Sequence, residues 1–300
     1  MSERAVRAPF LVLAHHRSGS NFLNDLLQSH PQIECLNEPL SMHTAFFRAH
    51  DLSVWRQEDF DDQQLHPCLA RESSLRAYLL SLRDYLLQSG DSRVIGFKET
   101  VLFGKLEWLK SFLPSLKLIL LQRDPRAVVS SVLRSALLGF WRYEDLVPPS
   151  YHALWPDAKL PPSHHAGEEV HAATIAAMSV AVRGELARRT AALFDGMTLS
   201  LEDLLGDPEA AMHSLAGLLG VEPHPAQLSF LQERQLVSRG GTFSSFRLRE
   251  HVLDRWRSHL SAAQLDAIDR VFAAAHLPVP SSCGAAPAPA FTRAEGAHSG

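Results

Sequence analysis

Near the start of this sequence an apolar run, a loop of small residues and a helix-like segment follow one another, and this order restricts the fold most. The run PFLVLA at 9–14 leads into HHRSGSNFL at 15–23, where apolar residues begin to recur every three to four positions. A short apolar run is typical of a strand buried on both faces, and the wider spacing is typical of a helix. A helix that starts just after such a strand offers unpaired backbone N–H groups to an anion. The segment therefore predicts an anion-binding loop at the edge of a parallel sheet.

The side chains of this loop suit a phosphate or sulfate group. Gly19 lets the backbone approach a ligand closely, and Arg17 carries a permanent charge on a fork that matches paired oxygens. Ser18, Ser20 and Asn21 add side-chain donors. The loop lacks the Gly-Lys-Ser/Thr of magnesium-nucleotide P-loops. On these residues alone, phosphate-type binding and an ordinary capped helix are both open.

Strand-like and helix-like segments alternate along the rest of the chain. Further apolar runs lie at 93–97 and 116–121, and a short strand is predicted at 197–201. Segments with helical spacing or a helical start signal lie at 73–88, 106–113, 168–194, 208–219, 251–259 and 261–275. This alternation predicts an α/β fold with a P-loop-like central parallel sheet flanked by helices.

We expect a single domain over residues 1–277. Of the 300 residues, 46% are hydrophobic, which suffices for one large α/β domain. Five prolines and no sustained periodicity at 145–166 predict a long loop, and we assign lids near 41–72 and 140–166. Residues 278–300 are rich in Pro, Ala, Ser and Gly and predict a disordered tail.

Composition argues against several classes of protein. A net charge of only −4 does not indicate a nucleic-acid or membrane-surface binder, and no run approaches the length of a membrane span. Three widely spaced cysteines fit neither a disulfide framework nor a zinc site. The amino terminus lacks a signal-peptide pattern, so we expect a cytoplasmic protein. The 16 histidines include adjacent pairs at 15–16 and 164–165 but show no metal-ligand spacing, so we predict no metal site.

A second motif, RDPRAVVSS at 123–131, follows the apolar run at 116–121. Together with RSGSNFL at 17–23, it resembles the sulfotransferase family, in the branch of carbohydrate sulfotransferases and bacterial small-molecule sulfotransferases. The resemblance implies that the sulfate donor is PAPS, 3′-phosphoadenosine 5′-phosphosulfate. It implies that Arg123 and Ser131 bind the 3′-phosphate. It also implies that the phosphosulfate end is bound by the first motif, namely Arg17, Ser18, Gly19, Ser20, Asn21, Phe22 and Leu23.

Three more segments resemble the same family. The segment HPQIECLNEPL at 30–40 is similar to the one that brings an acidic residue to the sulfate, which implies Glu38 as the general base. The segment at 199–221 resembles the family's YEDL strand and helix, with Leu201 in place of the usual tyrosine. RWRSHLSAAQLDAI at 255–268 resembles the carboxyl-terminal region. Two basic residues just before it are candidates to complete the 3′-phosphate site, with a solvated basic turn as the alternative: Arg247 and Arg249.

The expected chemistry is in-line transfer of a sulfuryl group from PAPS to a hydroxyl of a sugar or small natural product, without a metal. Such a transfer needs fixed cations at the sulfate and one proton acceptor. We assign Arg17 and Lys98, which follows the strand predicted at 93–97, to the cation role, and Glu38 to the base role. Simpler roles are a turn cap for Glu38 and a strand-end residue for Lys98. Glu99 and the loop histidines are alternative bases.

Two other functions would use a loop of this kind. A P-loop nucleotide kinase would need a Gly-Lys-Ser/Thr and an acidic magnesium ligand, and the sequence shows neither. A non-catalytic protein that binds nucleotide or adenosine 3′,5′-bisphosphate (PAP) would be favoured if Glu38 and Lys98 pointed away from the cofactor. The sequence indicates neither the acceptor nor the oligomeric state.

Overall fold

The structure, a computed structural model, describes residues 7–40, 74–88, 93–135, 147–160, 167–236 and 252–278. The strands are β1 Phe10–Ala14, β2 Ile33–Asn37, β3 Val94–Glu99, β4 Lys117–Gln122 and β5 Gly196–Ser200. The helices are α1 Ser20–Gln28, α2 Ser74–Leu86, α3 Leu106–Phe112, α4 Pro125–Leu133, α5 Val147–Leu154, α6 Glu168–Ala191, α7 Leu201–Gly206, α8 Pro208–Leu219, α9 Pro225–Leu236 and α10 Ala262–Ala274. Short 3₁₀ segments occur at Phe103–Lys105 and Arg255–Ser258.

The five strands form one parallel sheet in the order β2-β3-β1-β4-β5. Val12, in the central strand β1, lies opposite Lys98 of β3 on one side and Ile119 of β4 on the other. The chain moves from β1 towards one edge and later towards the other, so the strand order reverses at β1. In open sheets of this kind, ligands bind in the crevice beyond the carboxyl ends of the strands at such a reversal. The predicted fold class is confirmed.

Alternate residues of β1 are buried against helices on opposite faces of the sheet. Leu11 and Leu13 pack with residues of α2, α3 and the second half of α6. Phe10 and Val12 pack with residues of α1, α8 and α9. Because every side chain of β1 is fully buried, its carboxyl end is held rigidly where the loop begins.

A third apolar cluster lies beyond the sheet and joins α4, α5, α6 and α10. Tyr151 of α5 is fully buried there and donates a hydrogen bond to the backbone oxygen of Val271 in α10, at 2.6 Å. The first half of α6 therefore packs against α4, α5 and α10 and not against the sheet.

The structure differs from the sequence predictions in several elements. The strand β2 was not predicted as a strand. Helix α5 lies inside the stretch predicted to be a long loop, because its two prolines occupy the first turn, where a missing N–H costs little. The helix predicted at 251–259 is, from residue 252 onward, largely the 3₁₀ segment Arg255–Ser258. Helix α9 was not predicted either.

Several predictions concern parts of the chain that the structure does not describe. Residues 41–72, the undescribed parts of 140–166, and 279–300 lie outside the described residues, as do Arg247 and Arg249. Their assignment as lids, tail and phosphate ligands stays a prediction.

Candidate active site

The loop between β1 and α1 makes a sharp turn. Arg17 and Gly19 both have positive φ angles, of 70° and 88°, and the Ser18 N–H donates to the His15 oxygen at 3.1 Å. Positive φ is unfavourable for a residue with a side chain, so Arg17 is held by its surroundings and Gly19 is the residue the turn requires. A Cβ atom at Gly19 would lie only 2.8 Å from Leu201 Cδ1. The first-turn N–H groups of α1 follow directly after this turn.

The two sequence motifs meet in the folded chain. Arg17 Nε donates to Ser131 Oγ at 3.0 Å, across 114 positions of sequence. Arg123 donates through one guanidinium nitrogen to the Arg17 oxygen at 2.7 Å and through the other to the Val252 oxygen. The loop after β1 is therefore bonded both to the turn before α4 and to the second turn of that helix.

Lys98 connects the loop to the segment that follows β2. Its side chain is 1% exposed, and Nζ donates to Glu38 Oε1 at 2.6 Å and to Asn21 Oδ1 at 2.9 Å. Thr100 Oγ1 donates to the same carboxylate oxygen at 3.3 Å. Asn21 was predicted to bind the ligand, and Thr100 belongs to none of the sequence motifs. Both residues that hold the carboxylate lie at the carboxyl end of β3, because Lys98 is the penultimate residue of the strand and Thr100 directly follows it.

The backbone places Glu38 in a tight turn after β2. Glu38 has a φ of 48°, and its N–H donates to the Lys98 oxygen at 2.8 Å. A non-glycine residue in this region costs about 1–3 kcal/mol, and such residues cluster at functional sites. The Glu38 side chain keeps 14% of its surface exposed, so it is the accessible member of the pair.

Glu99 has a different environment. It has no exposed surface, and its Oε1 accepts the Leu40 N–H at 2.6 Å. The Tyr78 hydroxyl donates to the oxygen of the neighbouring residue, Pro39, at 2.8 Å. Glu99 thus supports the backbone of the turn that contains Glu38.

The two histidines of the loop are neutral at pH 7. Burial, with Arg183 nearby, lowers the pKa of His15 to about 3. Burial and the surrounding cations, Arg183 first, also lower the pKa of His16 well below its usual value. A neutral imidazole with so low a pKa is a weak proton acceptor.

The turn before α4 depends on two carboxylates. Asp124 caps α4 by accepting the Arg126 N–H at 2.8 Å, and Pro125 occupies the first helical position. Glu202 of α7 accepts the Asp124 N–H at 3.1 Å, and burial raises the pKa of Glu202. Glu202 was not predicted as part of the site, although it lies in the YEDL-like segment.

Phe22 and Leu23 belong to the core, and their side chains pack among the apolar residues of α1 and the sheet. The Leu23 N–H donates to the Gly19 oxygen at 3.2 Å. In the described part of the chain, no group of three or more His, Cys, Asp or Glu side chains is placed to hold a metal ion. Among the described helices, none is long and apolar enough to cross a membrane.

The reversed strand order, the lysine-free loop and the turn before α4 define an α/β protein of P-loop-like architecture. The profile of the Sulfotransferase family matches residues 9–225, more than half of the 300 residues. The chain belongs to the sulfotransferase family. No curated protein matches the sequence significantly.

Solved sulfotransferase structures are similar to this chain at low identity. The sulfotransferase domain of the olefin synthase from Synechococcus PCC 7002 is 19% identical, with a TM-score of 0.49 over 91% of this chain and 97% of that one. The sulfotransferase from Alicyclobacillus acidocaldarius is 15% identical, with a TM-score of 0.44 over 91% and 98%. A mouse sulfotransferase complexed with PAP is 13% identical, with a TM-score of 0.42 over 90% and 85%.

Proposed function

We propose that this sulfotransferase moves a sulfuryl group from PAPS to a hydroxyl of a sugar or small natural product, with Glu38 as the general base. One observation carries the proposal: Lys98 Nζ lies 2.6 Å from Glu38 Oε1 and 2.9 Å from Asn21 Oδ1. A cation, a carboxylate and the anion-binding loop therefore meet at one point of the sheet edge. This is the set of groups that sulfuryl transfer to an alcohol requires.

The side chains at this edge fit a donor with two anionic ends. Arg17, the serines of its loop and the start of α1 suit the phosphosulfate end. Arg123 and Ser131 lie on the neighbouring strand-helix junction and suit the 3′-phosphate. Arg17 links the two sets of residues, because its side chain donates to Ser131 and its backbone oxygen accepts from Arg123. Bound PAPS would supply the sulfuryl group and a phosphate as leaving group.

The protein residues divide the work. Glu38 takes the proton of the acceptor hydroxyl while the acceptor oxygen forms its bond to sulfur. Lys98 and Arg17 stabilise the charge on the oxygen that departs with the electron pair of the broken sulfur–oxygen bond. Fixed cations here take the place that magnesium has in kinases.

The surroundings of the alternative bases favour Glu38. Glu99 is fully buried and is bonded to the Leu40 N–H. His15 and His16 have lowered pKa values and are weak bases. We assign the choice of acceptor to the lid segments near 41–72 and 140–166.

Incubation with PAPS labelled in its sulfuryl group and with pools of sugars and hydroxylated natural products tests the proposal. We expect label in an acceptor and release of adenosine 3′,5′-bisphosphate. The bisphosphate should raise the Tm of the protein with a logarithmic dependence on its concentration, and ATP with magnesium should raise it little. Stronger stabilisation by magnesium ATP would reject the proposal in favour of a kinase. Bisphosphate binding without transfer to any acceptor would favour a non-catalytic binding protein.

A further inference from the structure

A buried arginine of α6 contacts His15, the first residue after β1, where the anion-binding loop begins. Arg183, in the middle of α6, is 2% exposed. One of its guanidinium nitrogens, Nη1, lies 2.6 Å from Ser179 Oγ and 3.2 Å from His15 Nε2. Ser179 Oγ lies 3.3 Å from the same ring nitrogen, and the guanidinium lies 6.0 Å from the centre of the Phe103 ring. The sequence motifs include none of these α6 residues.

These contacts determine where the proton of His15 lies. A guanidinium N–H can only donate, so His15 Nε2 must accept and carries no proton. The proton of the neutral ring is therefore on Nδ1, which lies 2.8 Å from the His16 oxygen and donates to it. The low pKa of His15, which Arg183 helps to set, agrees with a ring that stays neutral at neutral pH.

The hydrogen bond from His15 is one of three that hold consecutive carbonyl groups of the loop. The His15 oxygen accepts the Ser18 N–H, the His16 oxygen accepts His15 Nδ1–H, and the Arg17 oxygen accepts Arg123. Because the C=O and N–H of a trans peptide point in opposite directions, fixing the His16 oxygen also fixes the direction of the Arg17 N–H. The bond thus acts on the peptide that precedes the positive φ of Arg17.

We propose that Arg183 is a positioning residue for the anion-binding loop, and that it acts through Ser179 and His15 to orient the His16–Arg17 peptide. The inference rests on the proposed function, since the oriented loop is the one assigned to the phosphosulfate. Arg183 itself does not contact the ligand in this arrangement, because it is buried behind His15.

Arg183→Met removes the donor and the charge but keeps an unbranched side chain of similar length. The affinity for adenosine 3′,5′-bisphosphate, measured by calorimetry, should fall by roughly two- to thirtyfold, the usual range for residues that act on a site without contacting its ligand. Ser179→Ala is a milder change that should act in the same direction, and it replaces Arg183→Met if that variant does not fold. Arg189→Met is the matched control, because Arg189 lies on the exposed side of α6 and pairs with Glu185.

A double-mutant cycle separates positioning from general support of the fold. If Arg183 acts through His15, then Arg183→Met should cause no further loss of affinity in a His15→Phe background. The ¹⁵N spectrum of the wild-type protein should show a neutral His15 protonated on Nδ1. Arg183→Met should let Nε2 take up a proton at a higher pH than in the wild-type protein, because the neighbouring positive charge is lost. Wild-type affinity in Arg183→Met, or losses that simply add, would overturn the inference.

Spectra of the protein without ligand test the role of Arg183 independently of the proposed function. A wild-type protein that does not bind the bisphosphate would reject the proposed function. The role of Arg183 is then decided by the amide resonances of Arg17, Ser18 and Gly19, which Arg183→Met should shift and Arg189→Met should leave unchanged. Unshifted resonances in Arg183→Met would overturn the inference.

Discussion

At the scale of single residues, the site depends on buried charges that are paired. Lys98 is nearly inaccessible, and its ion pair with Glu38 is short. Removing one partner of a buried pair costs about 3–5 kcal/mol, because the other charge is left without compensation. A variant that tests chemistry should therefore keep a hydrogen-bonding atom in place of the one removed.

Glu38→Gln meets this condition, because the amide oxygen can still accept from Lys98. We expect kcat to fall by about 100- to 10,000-fold, the usual range for a lost proton-transfer group, with little change in the affinity for adenosine 3′,5′-bisphosphate. Steady-state kinetics and calorimetry measure the two quantities. Glu34→Gln is the control, since Glu34 lies in β2 and pairs with Arg93 and Tyr85. A Glu38→Gln enzyme with normal kcat would show that another residue takes the proton.

Arg123→Met tests the assignment of the 3′-phosphate. A charge-assisted hydrogen bond contributes about 1.5–3 kcal/mol, so affinity for adenosine 3′,5′-bisphosphate should fall by roughly 10- to 100-fold. Affinity for adenosine 5′-monophosphate should fall much less, although the lost bond to the Arg17 oxygen affects both ligands. Arg134→Met, at the end of the same helix, should change neither affinity. Equal losses for the two ligands would place Arg123 away from the 3′-phosphate.

The loop histidines predict how stability depends on pH. His15 and His16 have folded-state pKa values below those of the unfolded chain, so below about pH 6.5 the unfolded state binds more protons. The free energy of unfolding should therefore be constant with respect to these groups above that pH. Below it, stability should fall by about 1.4 kcal/mol per pH unit and per histidine, down to the folded pKa near 3 for His15.

Urea unfolding at pH 5 and pH 7 measures this loss, and the His15→Phe variant should show a smaller loss than the wild-type protein. An identical pH dependence in the variant would show that His15 titrates normally in the folded chain.

At the scale of elements, the junction of β1 and α1 is the most constrained part of the site. Gly19 precedes α1 with a left-handed backbone, and Leu201 at the start of α7 packs against it. Leu201, where the family resemblance implies a tyrosine, is 2% exposed and belongs to the same core as α1. The loop therefore has an apolar support beneath its glycine.

Gly19→Ala should destabilise the protein and impair the loop. The positive φ alone costs about 1–3 kcal/mol, and the new Cβ would contact Leu201. We expect a lower urea midpoint together with a lower affinity for the bisphosphate. Gly217→Ala in α8 is the control, because a Cβ there meets no atom within 4 Å and should stabilise the helix by about 0.5–1 kcal/mol. Wild-type stability in Gly19→Ala would contradict the backbone geometry described.

At the scale of the whole molecule, α6 connects the parts of the described structure. Its second half packs on the sheet, its middle contacts the loop between β1 and α1 through Ser179 and Arg183, and its first half lies in the cluster with α5 and α10. Packing around α5 and α10 thus supports a helix that contacts the site, although neither α5 nor α10 supplies an identified ligand residue.

Tyr151→Phe should separate stability from binding. It removes the hydrogen bond to the Val271 oxygen, which still accepts the Ala275 N–H. Because no buried acceptor is left unsatisfied, the free energy of unfolding should fall by only about 0.5–1.5 kcal/mol. Bisphosphate affinity should stay at the wild-type value. A loss of affinity without a loss of stability would mean that α5 contributes directly to the site.

Local patterns were sufficient to predict most of the framework. The apolar runs of β1, β3 and β4 are short and continuous, and the helices α4 and α8 begin with an Asp-Pro pair that caps them. These signals depend on neighbouring residues alone. They placed the RSGSNFL loop and the Arg123 turn after two parallel strands, and the folded sheet shows that these strands are neighbours.

The elements that were missed carry weak or ambiguous local signals. Strand β2 has the sequence IECLN, with Glu34 inside it and Asn37 at its end, so it lacks the continuous apolar run of β1, β3 and β4. Helix α5 contains prolines that were interpreted as breaking a helix, although they lie in its first turn. Burial of Tyr151 and Val147 against other helices stabilises α5, and no local pattern shows it.

The amino-acid sequence by itself determined the parallel α/β framework, the family and the positions of the charged motifs, because periodicity, turn residues and capping residues act over a few neighbours. Only the tertiary structure decided which side chains meet. Lys98 bonds to Asn21 across 77 positions, and Arg183 bonds to His15 across 168. Such contacts depend on the strand order and on the path of α6 over the sheet, which bring distant segments within hydrogen-bonding distance and which no local pattern encodes.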